Sequence, residues 1–308
     1  MSEVRFDRMI PAEVVARREA CNVAYLPVGA LEWHGAHMPF GTDYLIVNWL
    51  AEAAAQRFGG VAFPPIYYSD VRYQLHDSRP EWHNTYTEMM RIPPTFSAFP
   101  LRDADGNPEL GDPVTPPEDG PMPAEALAFD HAGQWRELTR HIAMVLLEIH
   151  LYGFHNIVLL PGHGPNFRIC PEAEEVYRQN VARRSAFGTP ARTTSFNYFH
   201  HLDEPMYGQH WLHADRLEGS LIMGVASETV HLDRLPADLD TIPPAYLGHP
   251  YLTETEGYRP EYAELKESFA YFDPRSGTTA EYGRRQLEHA LGHIGLQVEA
   301  LLGENDER

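Results

Sequence analysis

Two short runs of apolar residues, each ending in a glycine-containing turn, constrain most strongly how this chain can fold. Residues 22–28 (NVAYLPV) end at Gly29, and residues 156–160 (NIVLL) lead directly into a Pro-Gly pair. Continuous apolar runs of this length are typical of strands that are buried on both faces of a parallel sheet. We therefore expect buried parallel strands, connected by segments that cross over the sheet.

Further segments extend this into an alternation of strands and helices. Helices are expected where apolar residues recur with a period of 3.6, and strands where short runs are apolar or β-branched. The predicted helices are 43–58, 131–152, 171–186, 214–226 and 279–302, and the further predicted strands are 61–67 and 192–199. Thr42 or Asp43 can cap the first of these helices. The pattern predicts an α/β fold with three layers, α/β/α, around a mostly parallel central sheet.

The chain of 308 residues is within the range of one large α/β domain, so we treat 1–308 as a single domain. Residues 68–129 interrupt the alternation, because their Pro-rich and acidic pieces cannot form long helices or central strands. We interpret 68–129 as an irregular excursion over the surface. Long excursions of this kind often serve as lids or as oligomer contacts.

The net charge of the chain limits the kinds of partner that we expect it to bind. Acidic side chains outnumber basic ones by 44 to 24, and the net charge is -20. This charge repels the phosphates of nucleic acids and anionic membrane surfaces, so neither is an expected partner. No apolar run approaches the ~20 residues that span a bilayer, and residues 1–9 carry no apolar signal-peptide core. We expect a cytoplasmic protein with a small-molecule substrate.

The loop after the first predicted strand, residues 27–43 (PVGALEWHGAHMPFGTD), concentrates ionisable side chains. Glu32 and His34 can point the same way, because residues two apart share a side of extended backbone. Glycines further along let the chain fold back, so that Asp43 can join them. Mixed carboxylate and imidazole ligands suit Zn²⁺, Mn²⁺ or Fe²⁺. From these residues alone, a metal site and an ordinary polar surface loop remain equally open.

Two later segments place similar residue types at the ends of predicted elements. The turn 161–166 (PGHGPN) puts His163 after the second apolar run, without the residues of a phosphate loop or a dinucleotide fingerprint. The segment 213–220 (HADRLEGS) opens a helix and carries His213 and Glu218. Taken singly, His163 could be a structural residue of a turn, and the acidic third segment could be an ordinary helix N-terminus.

Together the three segments resemble the creatininase (creatinine amidohydrolase) family. The family's first signature is roughly P-V-G-S-x-E-x-H-G-P-H-x-P-x-x-x-D, and the matching residues are Pro27, Val28, Gly29, Glu32, His34, Gly35, His37, Pro39 and Asp43. The family motif N-G-H-G-G-N resembles 162–166, and H-A-G-E-x-E-T-S resembles 213–220. The closing G-D-P segment of the family resembles the residues around Asp273 and Pro274. The resemblance covers most of the chain outside the excursion.

The resemblance implies a site for divalent metal, two ions of Zn, Mn or Fe per subunit, at the carboxyl ends of the strands. Glu32 and His163 would hold one metal, His34 would hold the other, and Asp43 would bridge them. The ligand set therefore draws on two separate loops of the chain.

The chain departs from the family pattern at one ligand position. Creatininase takes a further carboxylate ligand two residues after the motif histidine, where this chain has Pro165. We expect Glu218 to replace that ligand. The other departures are Ala36 for Pro, Gly219 for Thr, and Asp215 and Arg216 for Gly and Glu.

The family further implies a hydrolase in which a metal-activated water attacks a small polar substrate. Glu218 and His213 are the catalytic candidates, with His213 protonating the leaving atom, while His37 orients a ligand. The candidate substrate contacts are Trp33, His37, His83, Gly164 and Trp211, with Tyr67, Tyr68 and Trp82 as further aromatic wall residues.

Several substrates fit this resemblance. They are cyclic amides such as creatinine, formamides, peptide-like amides, and diketo-inositols such as 3-dehydro-scyllo-inosose, whose ring opens by C–C hydrolysis. The alternative is a metal- or sugar-binding protein without turnover on the same fold, an interpretation motivated by Pro165 and the altered third motif. The family's habit also implies a homo-oligomer, a hexamer or a trimer of dimers.

Overall fold

The fold is described from a computed structural model, which covers residues 3–32, 34–35, 37–69, 131–202, 214–235 and 274–303. In chain order the main elements are α1 (Pro11–Ala20), β1 (Ala24–Val28), α2 (Thr42–Phe58), β2 (Val61–Ala62), α3 (His131–Leu151), β3 (Asn156–Pro161), α4 (Asn166–Ala182), β4 (Arg192–Ser195), α5 (Arg216–Ala226) and α6 (Ala280–Gly303). A 3₁₀ turn, Tyr198–His201, follows β4. Among the described helices, none is both long and apolar enough to cross a membrane.

Within the described part of the chain, four parallel strands form one sheet in the order β2-β1-β3-β4. The central strands β1 and β3 pair along their length, from Ala24 opposite Ile157 to Val28 opposite Pro161. The chain therefore runs from β1 outward to β2 and then returns to the other side of β1 as β3. The crevice between the carboxyl ends of β1 and β3 is a topological switch point, where open α/β sheets bind their ligands.

Alternate residues of the central strands enter two cores on opposite faces of the sheet. On one face, strand residues such as Leu26 and Leu159 pack with residues of α1, α3 and α4. On the other face, strand residues such as Tyr25, Val158 and Leu160 pack with residues of α2, α5 and α6. Each core is closed by helices, so the predicted three-layer α/β/α fold is confirmed.

The structure corrects several predicted bounds. The helix predicted over 171–186 begins at Asn166 and contains Pro171. The strand predicted over 61–67 is reduced to Val61–Ala62 with an isolated bridge at Ile66, since the two prolines between them have no N–H to donate to a ladder.

The expected cap of α2 is also wrong. The residue before the helix is Gly41, which supplies no side-chain cap. The hydroxyl of Thr42 instead donates to the carbonyl oxygen of Pro39 at 2.8 Å. Most of the excursion at 68–129 lies outside the described residues, and the single domain over 1–308 stays a prediction.

A packing prediction follows from the contact between α5 and α6. A Cβ at Gly283 would lie 1.7 Å from the carbonyl oxygen of Ser220. Gly283→Ala should force the helices apart and lower the free energy of unfolding by about 1–3 kcal/mol, the usual cost of overpacking. Gly292→Ala is the control, because a Cβ there meets nothing within 4 Å, and it should be neutral or stabilising by up to ~1 kcal/mol. Urea unfolding measures both, and equal stabilities would contradict this packing.

Candidate metal centre

Five side chains predicted from the sequence converge on the carboxyl edge of the sheet. Glu32 and His34 lie on the loop after β1, and Asp43 lies in the first turn of α2. His163 occupies the turn after β3, and Glu218 lies in the first turn of α5. Parallel pairing of β1 with β3 brings the two loops side by side, because both strands end at the same edge.

The first group of ligand-type atoms is centred on His163. Its Nδ1 lies 3.0 Å from Oε2 of Glu32 and 3.1 Å from Oδ2 of Asp43. One ring nitrogen carries at most one proton, so it cannot donate fully to both carboxylates. A divalent cation between the three atoms would satisfy all of them, which is the arrangement expected of metal ligands.

The second group is centred on His34. Its Nε2 lies 3.1 Å from Oδ1 of Asp43 and 3.9 Å from Oε2 of Glu218. Its other nitrogen, Nδ1, lies 3.1 Å from the backbone carbonyl oxygen of Glu32. A carbonyl oxygen can only accept, so Nδ1 donates to it, and Nε2 faces the two carboxylates. Metal-ligating histidines are commonly oriented in this way.

Asp43 connects the two groups, since one of its carboxylate oxygens faces each histidine. The groups Glu32/Asp43/His163 and His34/Asp43/Glu218 each bring three ligand-type atoms within 4.8 Å of one another. Burial alone would raise the pKa of the Asp43 carboxyl, but the imidazoles of His34 and His163 outweigh it and hold the pKa below its ordinary value. Asp43 therefore stays ionised near neutral pH, and the two groups of residues have a geometry that would fit divalent ions.

A glycine makes the approach of the two loops possible. A Cβ at Gly162 would lie 2.4 Å from the carbonyl oxygen of Asp43. Any larger residue at Gly162 would therefore push the turn after β3 away from α2. This close approach positions His163 against Asp43.

Glu218 is held by the turn that begins α5. Asp215 is the N-cap of this helix, and its Oδ1 accepts hydrogen bonds from the backbone N–H groups of Leu217 at 2.8 Å and Glu218 at 3.0 Å. Oε2 of Glu218 accepts a bond from the backbone N–H of Ala214 at 2.5 Å. Ala214 has a φ of 57°, a left-handed conformation that is uncommon for a residue with a Cβ. The unusual backbone thus aims an N–H group at the candidate ligand.

A group of buried hydrogen bonds holds the backbone at the carboxyl end of β1. The Nδ2 group of Asn166 donates to Oγ of Ser69 at 2.8 Å and to the carbonyl oxygen of Val28 at 3.3 Å. The Ser69 hydroxyl in turn donates to the carbonyl oxygen of Gly29. Asn166 is the last residue of the motif at 162–166, and its polar side chain at the end of a turn after a strand was the sequence signal for this role.

Tyr198 is a residue of this region that the sequence did not single out. It is buried in the 3₁₀ turn that follows β4, and its ring stacks on Phe199. Burial, together with the carboxylates of Glu218 and Asp43, raises the pKa of the Tyr198 phenol well above its ordinary value. The phenol therefore stays neutral and keeps a proton to donate. Its place after a parallel strand was the only sequence signal for it.

The remaining predicted site residues fall into two sets. His37 is buried, and its backbone carbonyl accepts a hydrogen bond from the N–H of His231 at 2.8 Å. A Cβ at Gly164 would meet nothing within 4 Å, so this position leaves room beside His163. The roles of His37 and Gly164 at the substrate stay predictions. The predicted residues outside the described part of the chain are Trp33, Trp82, His83, Trp211 and His213.

Comparison with known proteins agrees with this fold. A family model described as creatinine amidohydrolase matches residues 7–78 and 132–295. The 3-dehydro-scyllo-inosose hydrolase of Thermotoga maritima (strain ATCC 43589 / DSM 3109 / JCM 10099 / NBRC 100826 / MSB8) is 23% identical over 256 residues, which are 80% of this chain and 63% of that protein. The chain thus spans less than two thirds of the length of that curated relative.

Solved structures show the same architecture. A structure titled "Creatininase Mn" has a TM-score of 0.58 and 20% identity, covering 97% of this chain and 98% of its own. A mutant creatininase of "Zn-Zn type" has a TM-score of 0.59 and 20% identity over the same shares. At this level of identity the structures show the fold alone.

The fold and the family match together define the class of the protein. It has the three-layer fold of creatininases, with carboxylates and histidines gathered at the switch point of the sheet. Since the family model matches more than half of the chain, the chain belongs to the creatininase family, a family of metal-dependent hydrolases.

The cap at Asp215 leads to a test of how Glu218 is positioned. Asp215→Ala removes the acceptor for two backbone N–H groups and should lower the free energy of unfolding by about 1 kcal/mol. It should also weaken metal retention, because the turn that aims Glu218 loosens. Asp215→Asn is the matched control, since Asn caps helices as well as Asp does. Thermal unfolding and metal content measure the two effects; equal losses in both variants would contradict a capping role.

Proposed function

We propose that this protein is a hydrolase that uses two divalent metal ions, Zn²⁺ or Mn²⁺, to add water to a small cyclic polar substrate. The observation that carries the proposal is the position of Asp43, whose two carboxylate oxygens face His34 and His163 separately. Glu32 completes the group around His163, and Glu218 completes the group around His34. Zn and Mn are the metals that the titles of the two creatininase structures name.

The replacement of the ligand missing at Pro165 is part of the proposal. Pro165 precedes α4 and offers no ligand atom in its side chain. Glu218 extends from α5 into the group of His34 and Asp43, which supports it as the replacement ligand. Each metal would thus be bound by one imidazole, by one carboxylate that binds no other metal, and by one oxygen of Asp43.

Metals bound here would supply a Lewis acid and an acidified water for attack on a carbonyl carbon. The chain's own residues would do the rest. The proton on Nδ1 of His34 fixes the ring by bonding to the Glu32 carbonyl. The phenol of Tyr198, whose pKa is raised by burial and by the nearby carboxylates of Glu218 and Asp43, would keep its proton beside them. His213 is proposed, from the family resemblance, to protonate the leaving atom.

The substrate class follows from what the relatives share. The curated relative is named for 3-dehydro-scyllo-inosose, a ring ketone, and the solved structures are named creatininases, after a cyclic amide. In both cases water would add to a ring carbonyl carbon, and the bond from that carbon to its ring neighbour would break. We propose a ring-opening hydrolysis, with the keto-inositol as the first candidate and the cyclic amide or formamide as the second.

The cellular localisation and the oligomeric state of the protein are also proposals. We place it in the cytoplasm, as a homo-oligomer that is a hexamer or a trimer of dimers. Sedimentation of the purified protein would show the oligomeric state directly.

Metal counting tests the shared role of Asp43. Asp43→Asn should lower the content of both metals, because the amide has one neutral oxygen where the carboxylate had two charged ones. Glu218→Gln should remove one metal and leave the other, because Glu218 belongs to one group only. The control is Glu174→Gln, a buried carboxylate that instead accepts from the hydroxyls of Thr193 and Ser195.

The measurement is metal per chain by mass spectrometry after dialysis. We expect about two equivalents in the parent protein and in Glu174→Gln, about one in Glu218→Gln, and fewer in Asp43→Asn. Unchanged content in Asp43→Asn would refute the bridging role, whatever the substrate is.

A substrate panel tests the reaction. The metal-loaded protein should hydrolyse one of 3-dehydro-scyllo-inosose, creatinine and a pyrimidine-type formamide, and Asp43→Asn should reduce the rate by at least about 100-fold, typical of losing an electrostatic element of catalysis. Glu174→Gln should keep the rate of the parent protein. Full metal content without turnover of any of these ring and formamide substrates would favour the non-catalytic binding protein instead.

A further inference from the structure

Three histidine rings form a second cluster outside the candidate metal centre. The rings of His201 and His293 have centroids 4.7 Å apart, and those of His289 and His293 have centroids 5.0 Å apart. His201 ends the 3₁₀ turn after β4, and the other two lie on α6. We call these three residues the histidine cluster. It shares no residue with the centre around Asp43.

The spacing of two of the three ring pairs matches that of imidazoles on one metal ion. A histidine nitrogen lies about 2.0–2.1 Å from Zn²⁺ in a tetrahedral site, and the ring centre lies roughly 1 Å beyond the nitrogen, so neighbouring ring centroids should be about 5 Å apart. Both observed separations are close to this value. His293 takes part in both pairs, so it is the central member of the cluster.

The helix supplies part of this arrangement by its own geometry. His289 and His293 are four residues apart, and residues at this spacing lie on one face of a helix. Pairs of histidines at this spacing are a known helical arrangement for binding Zn²⁺. His201 adds a third imidazole from a separate element, 88 positions away from His289 in the chain.

The surroundings keep at least one ring in its metal-binding form. Phe196 stacks on His201 with ring centroids 4.6 Å apart and orients it. Burial and then the nearby imidazoles of His293, His200 and His289 lower the pKa of His201 below its ordinary value. His201 is therefore a neutral imidazole near pH 7, with a lone pair available. His289 is exposed at the surface, so its ring is free to rotate about its side-chain torsions.

We propose that His201, His289 and His293 form a second type of metal site, which binds one transition-metal ion such as Zn²⁺ through three imidazoles. In the structure, the ring nitrogens of the three residues are not all within 4.8 Å of one another. Binding therefore includes a rotation of the exposed His289 ring. An all-imidazole ligand set selects Zn²⁺, Ni²⁺ or Cu²⁺ over Mg²⁺ and Ca²⁺, which prefer oxygen. The bound ion would link the turn after β4 to α6.

Titration of the metal-loaded protein with Zn²⁺ tests this proposal. After the centre around Asp43 is saturated and free metal is removed, the parent protein should bind one further Zn²⁺ per chain by calorimetry. His289→Ala should weaken that binding at least tenfold, and His293→Ala should abolish it. His141→Ala, which removes an exposed histidine of α3, should bind like the parent protein.

Two further measurements separate loss of Zn²⁺ binding from loss of the fold. His289 is exposed, so its replacement should leave the fold intact, and circular dichroism checks the half-buried His293 variant. The further Zn²⁺ should raise the midpoint of thermal unfolding of the parent protein more than that of His289→Ala. Absence of the further Zn²⁺ in the parent protein, or its equal binding by His289→Ala, would overturn the proposal.

Discussion

The site depends on one carboxylate placed between two imidazoles. Asp43 faces His34 with one oxygen and His163 with the other, while Glu32 and Glu218 stand on either side. Buried carboxylates gathered this closely repel one another unless positive charge lies between them. Two divalent ions would supply that charge, and the fold around them can be understood as the means of holding Asp43 in place.

The rest of the fold brings three loops to this carboxylate. Reversal of strand order between β1 and β3 opens a crevice at the carboxyl edge of the sheet. Gly162 allows the turn after β3 to touch the backbone of Asp43, which no residue with a Cβ would permit. On the opposite side, Asp215 caps α5 and fixes the turn that aims Glu218. Helix capping and close backbone contact thus position the candidate ligands Glu218 and His163.

Much of this could be predicted from the sequence, for identifiable reasons. Apolar runs at 22–28 and 156–160 marked the central strands because strands buried on both faces need no polar residue. The five ligand candidates could be named because they lie in three short segments that resemble family motifs in order. The early start of α4 at Asn166 was missed, since Pro171 marks a helix start more often than its interior. Tyr198 and the contact of His201 with α6 were missed because they depend on contacts between distant segments, whereas the pair of His289 and His293 was a local pattern that was not used.

The most direct test of the shared carboxylate is X-ray diffraction from crystals of the metal-loaded protein, with anomalous data collected on both sides of the metal absorption edge. We expect two anomalous peaks at the carboxyl edge of the sheet, one beside Glu32 and His163 and one beside His34 and Glu218, with Asp43 bound to both. A single peak, or two peaks with Asp43 bound to only one of them, would contradict this expectation.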